Sequence, residues 1–241
     1  MSSTRKIALI TGVFFIITFL ASIPPAFALY KPVLNDVHYV LGGGADTRIY
    51  AGALLEVILA IAGIGTAVTL FPILKRQNEG IALGYVAART VESTVIVVGL
   101  ISLLSVVTLR QDFSGAGAAS FVIAGKTLVA IHKWTFLLGP GFAPGIENGL
   151  MLGYLMYRSR LVPRPWAVLG LVAGTLATVS AIAELFGLYP QVSAAAFFLV
   201  LPEAVWEAFL GIYLTVKGFR PSPILTDSGR PETAAPRPAV A

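Results

Sequence analysis

The chain has 241 residues, of which 56% are apolar and 12% charged, with a mean hydropathy of +0.84 and a formal net charge of +5. That balance excludes an ordinary soluble domain and points to an integral membrane protein. The lack of cysteine excludes disulfides, thiolate chemistry and Cys-ligated metal sites, and the basic excess is no signal for nucleic acid, because the basic residues flank the apolar runs.

Six stretches of about 20 apolar residues, the length that crosses a bilayer, are predicted as helices at 7–29, 50–74, 81–108, 134–157, 166–187 and 194–216. The first follows Arg5 and Lys6 and contains Ala26-Phe27-Ala28, so it imitates a secretory signal. Pro24 and Pro25 crowd that site and the run is long enough to span, so an uncleaved first helix is expected. The loop 30–49 carries Asn35, Asp36, His38, Gly42, Gly43, Gly44 and Asp46, which read as an ordered outer cap with a glycine hinge; these scattered ligands lack any recognised metal spacing.

The segment 118–133 is apolar but interrupted by Lys126, His132 and Lys133, and is expected to form an amphipathic helix on the outer surface leading into the fourth span. From Gly218 onward the chain holds Pro221, Pro223, Pro231, Pro236 and Pro238 and cannot bury a core. Residues 1–217 are thus expected to form one six-helix transmembrane domain, followed by a disordered Pro-rich cytoplasmic tail, 218–241.

Six spans place both termini on one side, and the lysines and arginines choose it. With both termini inside, the cytoplasmic set is Arg5, Lys6, Lys75, Arg76, Arg158, Arg160, Arg164, Lys217, Arg220, Arg230 and Arg237, against Lys31, Arg48, Arg110, Lys126 and Lys133 outside. The positive-inside rule therefore predicts N-in and C-in. The fold class is all-α, a polytopic membrane bundle.

The seventeenth basic residue, Arg89, lies within a span, together with Glu56, Glu92, Glu147, Glu184, Glu203 and Glu207. A charge at the bilayer centre costs about 2.5–3.5 kcal/mol even on the lenient insertion scale, so each must be paired, protonated or beside water. At 1.5 Å per residue Arg89 falls roughly 10 Å, and Glu92 roughly 15 Å, from the cytoplasmic edge, with Glu147, Glu203 and Glu207 at roughly 10–17 Å. Glu56 and Glu184 lie in the outer half. Arg89 and Glu92, at i and i+3, share a helix face. Glu203 and Glu207, at i and i+4 after Pro202, would repel if both ionised; a shared proton or cation relieves that.

The fourth span contains GPGFAPG at 139–145. Pro140 and Pro144 remove backbone donors and Gly141 and Gly145 loosen the helix, so a break is expected just before Glu147. Discontinuous helices build transporter sites, although a carboxylate in the first turn after a break also simply complements the helix dipole. Gly145, Gly149 and Gly153, with Gly170 and Gly174 in the fifth span, form close-packing faces, and Glu147 points nearly opposite the first of these.

No catalytic motif is present, whether H-E-x-x-H, G-x-S-x-G or a P-loop, and no catalytic residue, metal site or cofactor is assigned. LEVILAIAG, ENGLMLGY and WEAFLGIY each place a glutamate before small residues, as triplicated helix hairpins would.

ALGYVAARTVES, RSRLVPRPWAVLGL and EAVWEAFLGIYLTVKGF together resemble the bacterial membrane-protein family of domain-of-unknown-function 4386, over roughly residues 5–219. The pattern in the third span lands on Leu83, Gly84, Tyr85, Ala88, Arg89 and Glu92. The resemblance implies a six-helix bundle in a bacterial plasma membrane and carries no established activity. Two functions lead, with an enzyme third: a small transporter or sensor whose cluster of Arg89, Glu92, Glu147, Glu203 and Glu207 handles a proton or cation, or a non-transporting membrane partner, as a homo-oligomer or beside another membrane protein, in which those residues are interhelical contacts.

Overall fold

In hydrocarbon every backbone N–H and C=O must be satisfied within the protein, and a single helix does this over each apolar run. The computed structural model describes residues 2–42 and 44–226, and among them there is no strand. The elements are α1 (Ser3–Pro24), prolonged by a π-helical stretch (Pro25–Leu29); α2 (Lys31–Asn35); a 3-10 turn (Tyr39–Leu41); α3 (Asp46–Leu74); α4 (Glu79–Asp112); and α5 (Ala118–Phe136). Two π-helical stretches (Leu137–Gly141 and Gly145–Leu152) lead into α6 (Gly153–Ser159), followed by α7 (Arg164–Leu185), α8 (Ala194–Val216) and the short α9 (Pro223–Thr226). Among the described residues six helical stretches are long and apolar enough to cross a membrane, the fourth running from Ala118 to Ser159. Each expected span overlaps one of them.

The helix ends follow local chemistry. Ser2, Asn78 and Ser193 accept backbone N–H groups at the starts of α1, α4 and α8. Glu79 and Arg110 occupy the first and last turns of α4, where they complement its dipole. Arg5 donates to the carbonyls of Leu214 at 2.8 Å and Thr215 at 2.6 Å, so the start of α1 caps the end of α8.

The helices stand in a closed ring in chain order. α1 packs on α3, α3 on α4, α4 on α5 and the π-helical stretches, the stretches and α6 on α7, α7 on α8, and α8 back on α1. Inside the ring are two apolar cores. One gathers Phe15, Leu70, Leu74, Tyr85, Leu155, Trp206 and Leu214 near the end that holds both described termini. The other gathers Tyr30, Val33, Ile49, Leu103 and Val106 at the opposite end.

Two expectations about the ends are corrected. The segment 118–133 is helical, but it does not lie flat as a surface helix. α5 stands antiparallel to the far part of α4, with Ser102 Oγ donating to Leu128 O at 2.6 Å and His132 Nδ1 3.3 Å from Gly99 O. The reason is the length of α4: its 34 residues extend about 51 Å, well beyond a hydrocarbon core of about 30 Å, and offer α5 a wall to pack on. Gln191, in the turn between α7 and α8, reaches Lys133 O, so most of α5 stands beyond that turn.

The second correction concerns the tail. Residues 218–226 are not disordered: Arg220 N donates to Leu161 O at 2.8 Å, Ser222 Oγ to Ser159 O at 2.5 Å, and Phe219, Ile224 and Leu225 pack on the first core. Proline content alone misleads here, because these three partly buried apolar side chains give the segment a face that packs on the bundle. Pro231, Pro236, Pro238, Arg230 and Arg237 lie outside the described residues, as does Gly43.

Asp46 organises the cap at the end opposite both described termini. It is ion-paired with Arg110, takes a hydrogen bond from Tyr39 at 2.9 Å and another from Gln111 at 3.2 Å. Burial pushes the Tyr39 phenol above its ordinary range, which keeps it a donor. Asp46→Ala is expected to cost about 1–2 kcal/mol locally, since three donors lose one acceptor. Hydrogen exchange over residues 36–49 should speed up, while exchange in α7 and α8 stays unchanged.

Candidate functional site

The layer between the two apolar cores is polar, and three consecutive residues of the second π-helical stretch organise it. Glu147 Oε1 is 2.6 Å from Arg89 Nη1 on α4, and the same nitrogen is 2.6 Å from Glu92 Oε2. Asn148 Nδ2 donates to Glu207 Oε1 on α8 at 2.5 Å, Asn148 Oδ1 accepts from Tyr85 OH at 3.0 Å, and Asn148 O accepts from Trp206 Nε1 at 2.9 Å. Gly149 lies against Gly174 of α7, and a methyl group added there would also come within 2.8 Å of Glu203 Oε2.

The π-helical geometry arises where the sequence predicts a break. Pro140 and Pro144 each lack an amide donor and crowd the preceding turn, and the helix widens to i→i+5 bonding around them instead of unwinding. Pro140 and Gly141 fall in the first stretch, Pro144 just precedes the second, and Gly145 opens it. The expected interruption is therefore a distorted but continuous helix. Widening the turn allows Glu147, Asn148 and Gly149 to meet α4, α8 and α7 within one turn.

All five residues of the expected cluster contribute to this layer. Arg89, Glu92, Glu147 and Glu203 are each less than a tenth exposed, and Glu207 is half-buried. Arg89 also donates through Nε to Thr66 on α3 at 3.4 Å. One guanidinium thus faces two carboxylates directly, while two more stand on α8. Three buried carboxylate oxygens have no hydrogen-bond partner among the described residues: Glu147 Oε2 and both oxygens of Glu203.

Glu56 and Glu184 stay apart from this layer. Glu56 accepts from Tyr30 OH at 2.9 Å, and Glu184 from Ser180 Oγ at 3.0 Å. The glycines do more than pack. Gly174 meets the backbone of Gly145 and Gly149, Gly153 meets Leu171, and Gly170 receives the Trp206 indole. Gly149 also leaves the space that the Glu203 carboxylate occupies. The sequence assigned no role to Asn148, Thr66 or Trp206, and Tyr85 entered only through the family pattern; Asn148 carried one signal of its own, a neutral amide in a span beside a glutamate.

A ring of membrane-crossing helices around a buried arginine and glutamate layer defines the chain as a polytopic helical membrane protein. It belongs to the family described as Domain of unknown function (DUF4386), which matches residues 10–218. No curated protein and no solved structure matches it.

Proposed function

We propose that the polar layer is a proton- or cation-exchange site of a small membrane transporter or sensor. The observation that carries this reading is Glu203, 2% exposed, with neither oxygen partnered among the described residues. An unpaired carboxylate in such surroundings costs several kcal/mol, on the order of the penalty for any buried ion, so a proton or a bound cation is needed to hold it. Glu203 and Glu207 are the exchanging pair, Arg89 the fixed counter-charge, and Glu147 the gate, its second oxygen free on the π-helical turn. Such turns recur at functional sites because they bring side chains together that a regular helix keeps apart. In this reading the basic end of the bundle faces the cytoplasm of a bacterial plasma membrane, and residues 1–217 act as one transmembrane unit.

The test is proton release or uptake by the purified protein in lipid nanodiscs as sodium, potassium and other cations are titrated in. The wild type is expected to exchange protons, and Glu203→Gln with Glu207→Gln to abolish the exchange while leaving the melting temperature within a few degrees. An identical titration in the variant overturns the proposal.

A second reading is favoured by the completeness of the remaining contacts. Arg89 and Asn148 between them tie α3, α4 and α8 to the fourth span, as interhelical glue of a membrane partner would. Such contacts contribute under about 1 kcal/mol each on average. This reading predicts stability losses without any ion-linked signal, and copurification with a second membrane protein or with further copies of the chain from the native host.

A further inference from the structure

At the end of the bundle that holds both described termini, a cavity of about 490 Å³ opens between the α3–α4 loop and the α6–α7 turn. It is lined by Gln77, Tyr157, Arg158, Arg160 and Arg164. Among the described residues no carboxylate lines it, and none of the three arginines has an ion pair. Like charges gathered this closely repel one another, and a bound anion relieves that repulsion.

Two features shape the site around these exposed arginines. Arg160 has φ 58°, the one positive value for a non-glycine among the described residues, and its backbone ends α6 by donating to Met156 O. An L residue with a bulky side chain rarely adopts that conformation, and an asparagine or glycine would adopt it more easily. Arg164 lies over the Tyr157 ring at 5.3 Å, which fixes the guanidinium from the other wall. The level in the membrane is marked by Trp166, part-exposed and stacked on Phe209 at 4.1 Å; tryptophans of this kind sit at headgroup depth.

We propose that this cavity binds the phosphate group of an anionic phospholipid. Planar guanidinium forks match phosphate oxygens in pairs, and basic pockets between helices at a membrane face take lipid headgroups. The polar layer of the ring has no part in this site, so the two proposals stand or fall separately.

The experiment compares the phosphatidylglycerol retained by the protein, counted by native mass spectrometry after extraction from nanodiscs of phosphatidylcholine and phosphatidylglycerol. The variants are Arg158→Gln with Arg164→Gln, the same pair changed to lysine, Arg160→Asn, and Lys75→Gln with Lys217→Gln as a charge-matched control outside the cavity. Retention is expected to fall about fivefold for each arginine neutralised, and less for lysine, which keeps the charge but not the fork. The control pair should match the wild type. Equal retention in the double arginine variant and the wild type overturns the proposal, as does an equal loss in the control. A parallel titration of lipid-free protein in detergent with inorganic phosphate separates the sources. Phosphate binding that needs the same arginines, without preference for phosphatidylglycerol, overturns the lipid assignment in favour of a soluble phosphate ligand.

Discussion

Arg89→Met is expected to lower the melting temperature of the protein in nanodiscs by roughly 10 °C, the largest effect of any single polar substitution in the chain. The substitution leaves Glu92 and Glu147, both buried, without the one cation they share. Removing one partner of a buried pair costs about 3–5 kcal/mol, and for a chain of this size each kcal/mol shifts the midpoint by about 2–4 °C. The cause is testable within the same series. Adding Glu92→Gln and Glu147→Gln to Arg89→Met removes the stranded charges, and most of the lost stability should return. A triple variant as unstable as Arg89→Met would show that packing of the arginine, not its charge, holds the layer. A fully stable Arg89→Met would remove the ion pairs from any account of the fold.

Gly174→Val should be comparably severe for a different reason. A Cβ there would stand 2.6 Å from the Gly149 Cα and 2.8 Å from its carbonyl carbon, and these are backbone atoms that no rotamer change can move away. Overpacking typically costs about 1–3 kcal/mol, and with backbone on both sides the upper end applies. The expected result is loss of monodisperse protein after detergent extraction. Gly149→Ala meets the same wall and also enters the space of Glu203 Oε2, so any protein that still folds should show an altered cation-linked proton signal. Gly80→Ala serves as the control: its methyl would meet only Asn78 Oδ1, at 3.6 Å, and no loss is expected.

The apolar runs made the six helices legible, because bilayer thickness imposes a length that few other structures require. The charged members of the polar layer were legible for the same reason: charge is so costly at depth that each such residue announces itself. Neutral polar groups do not. Asn148 and Thr66 complete the layer, yet each is common enough in membrane helices to pass unnoticed, and Tyr85 stood out only as part of the family pattern. The π-helical turns were half legible, since Pro140 and Pro144 signal distortion but not whether the helix will widen or unwind. Neither α5 nor residues 218–226 could be placed from periodicity, because what fixes them is a partner surface: the projecting end of α4 for the first, and Leu161 and Ser159 for the second. The circular order of the helices had no sequence signal at all.

That circular order carries a consequence for biosynthesis. A ring assembled in chain order has one seam, between the first helix made and the last. Arg89, Glu92 and Glu147 are all in place once the fourth span is inserted, so the paired half of the layer can settle while the ribosome is still at work. Glu203 and Glu207 arrive only with α8, which must find the flank of α1 and drop Trp206 into the notch at Gly170. A nascent chain halted before residue 194 keeps Asn148 short of Glu207 and Trp206 and leaves Gly12 facing lipid in place of Gly211.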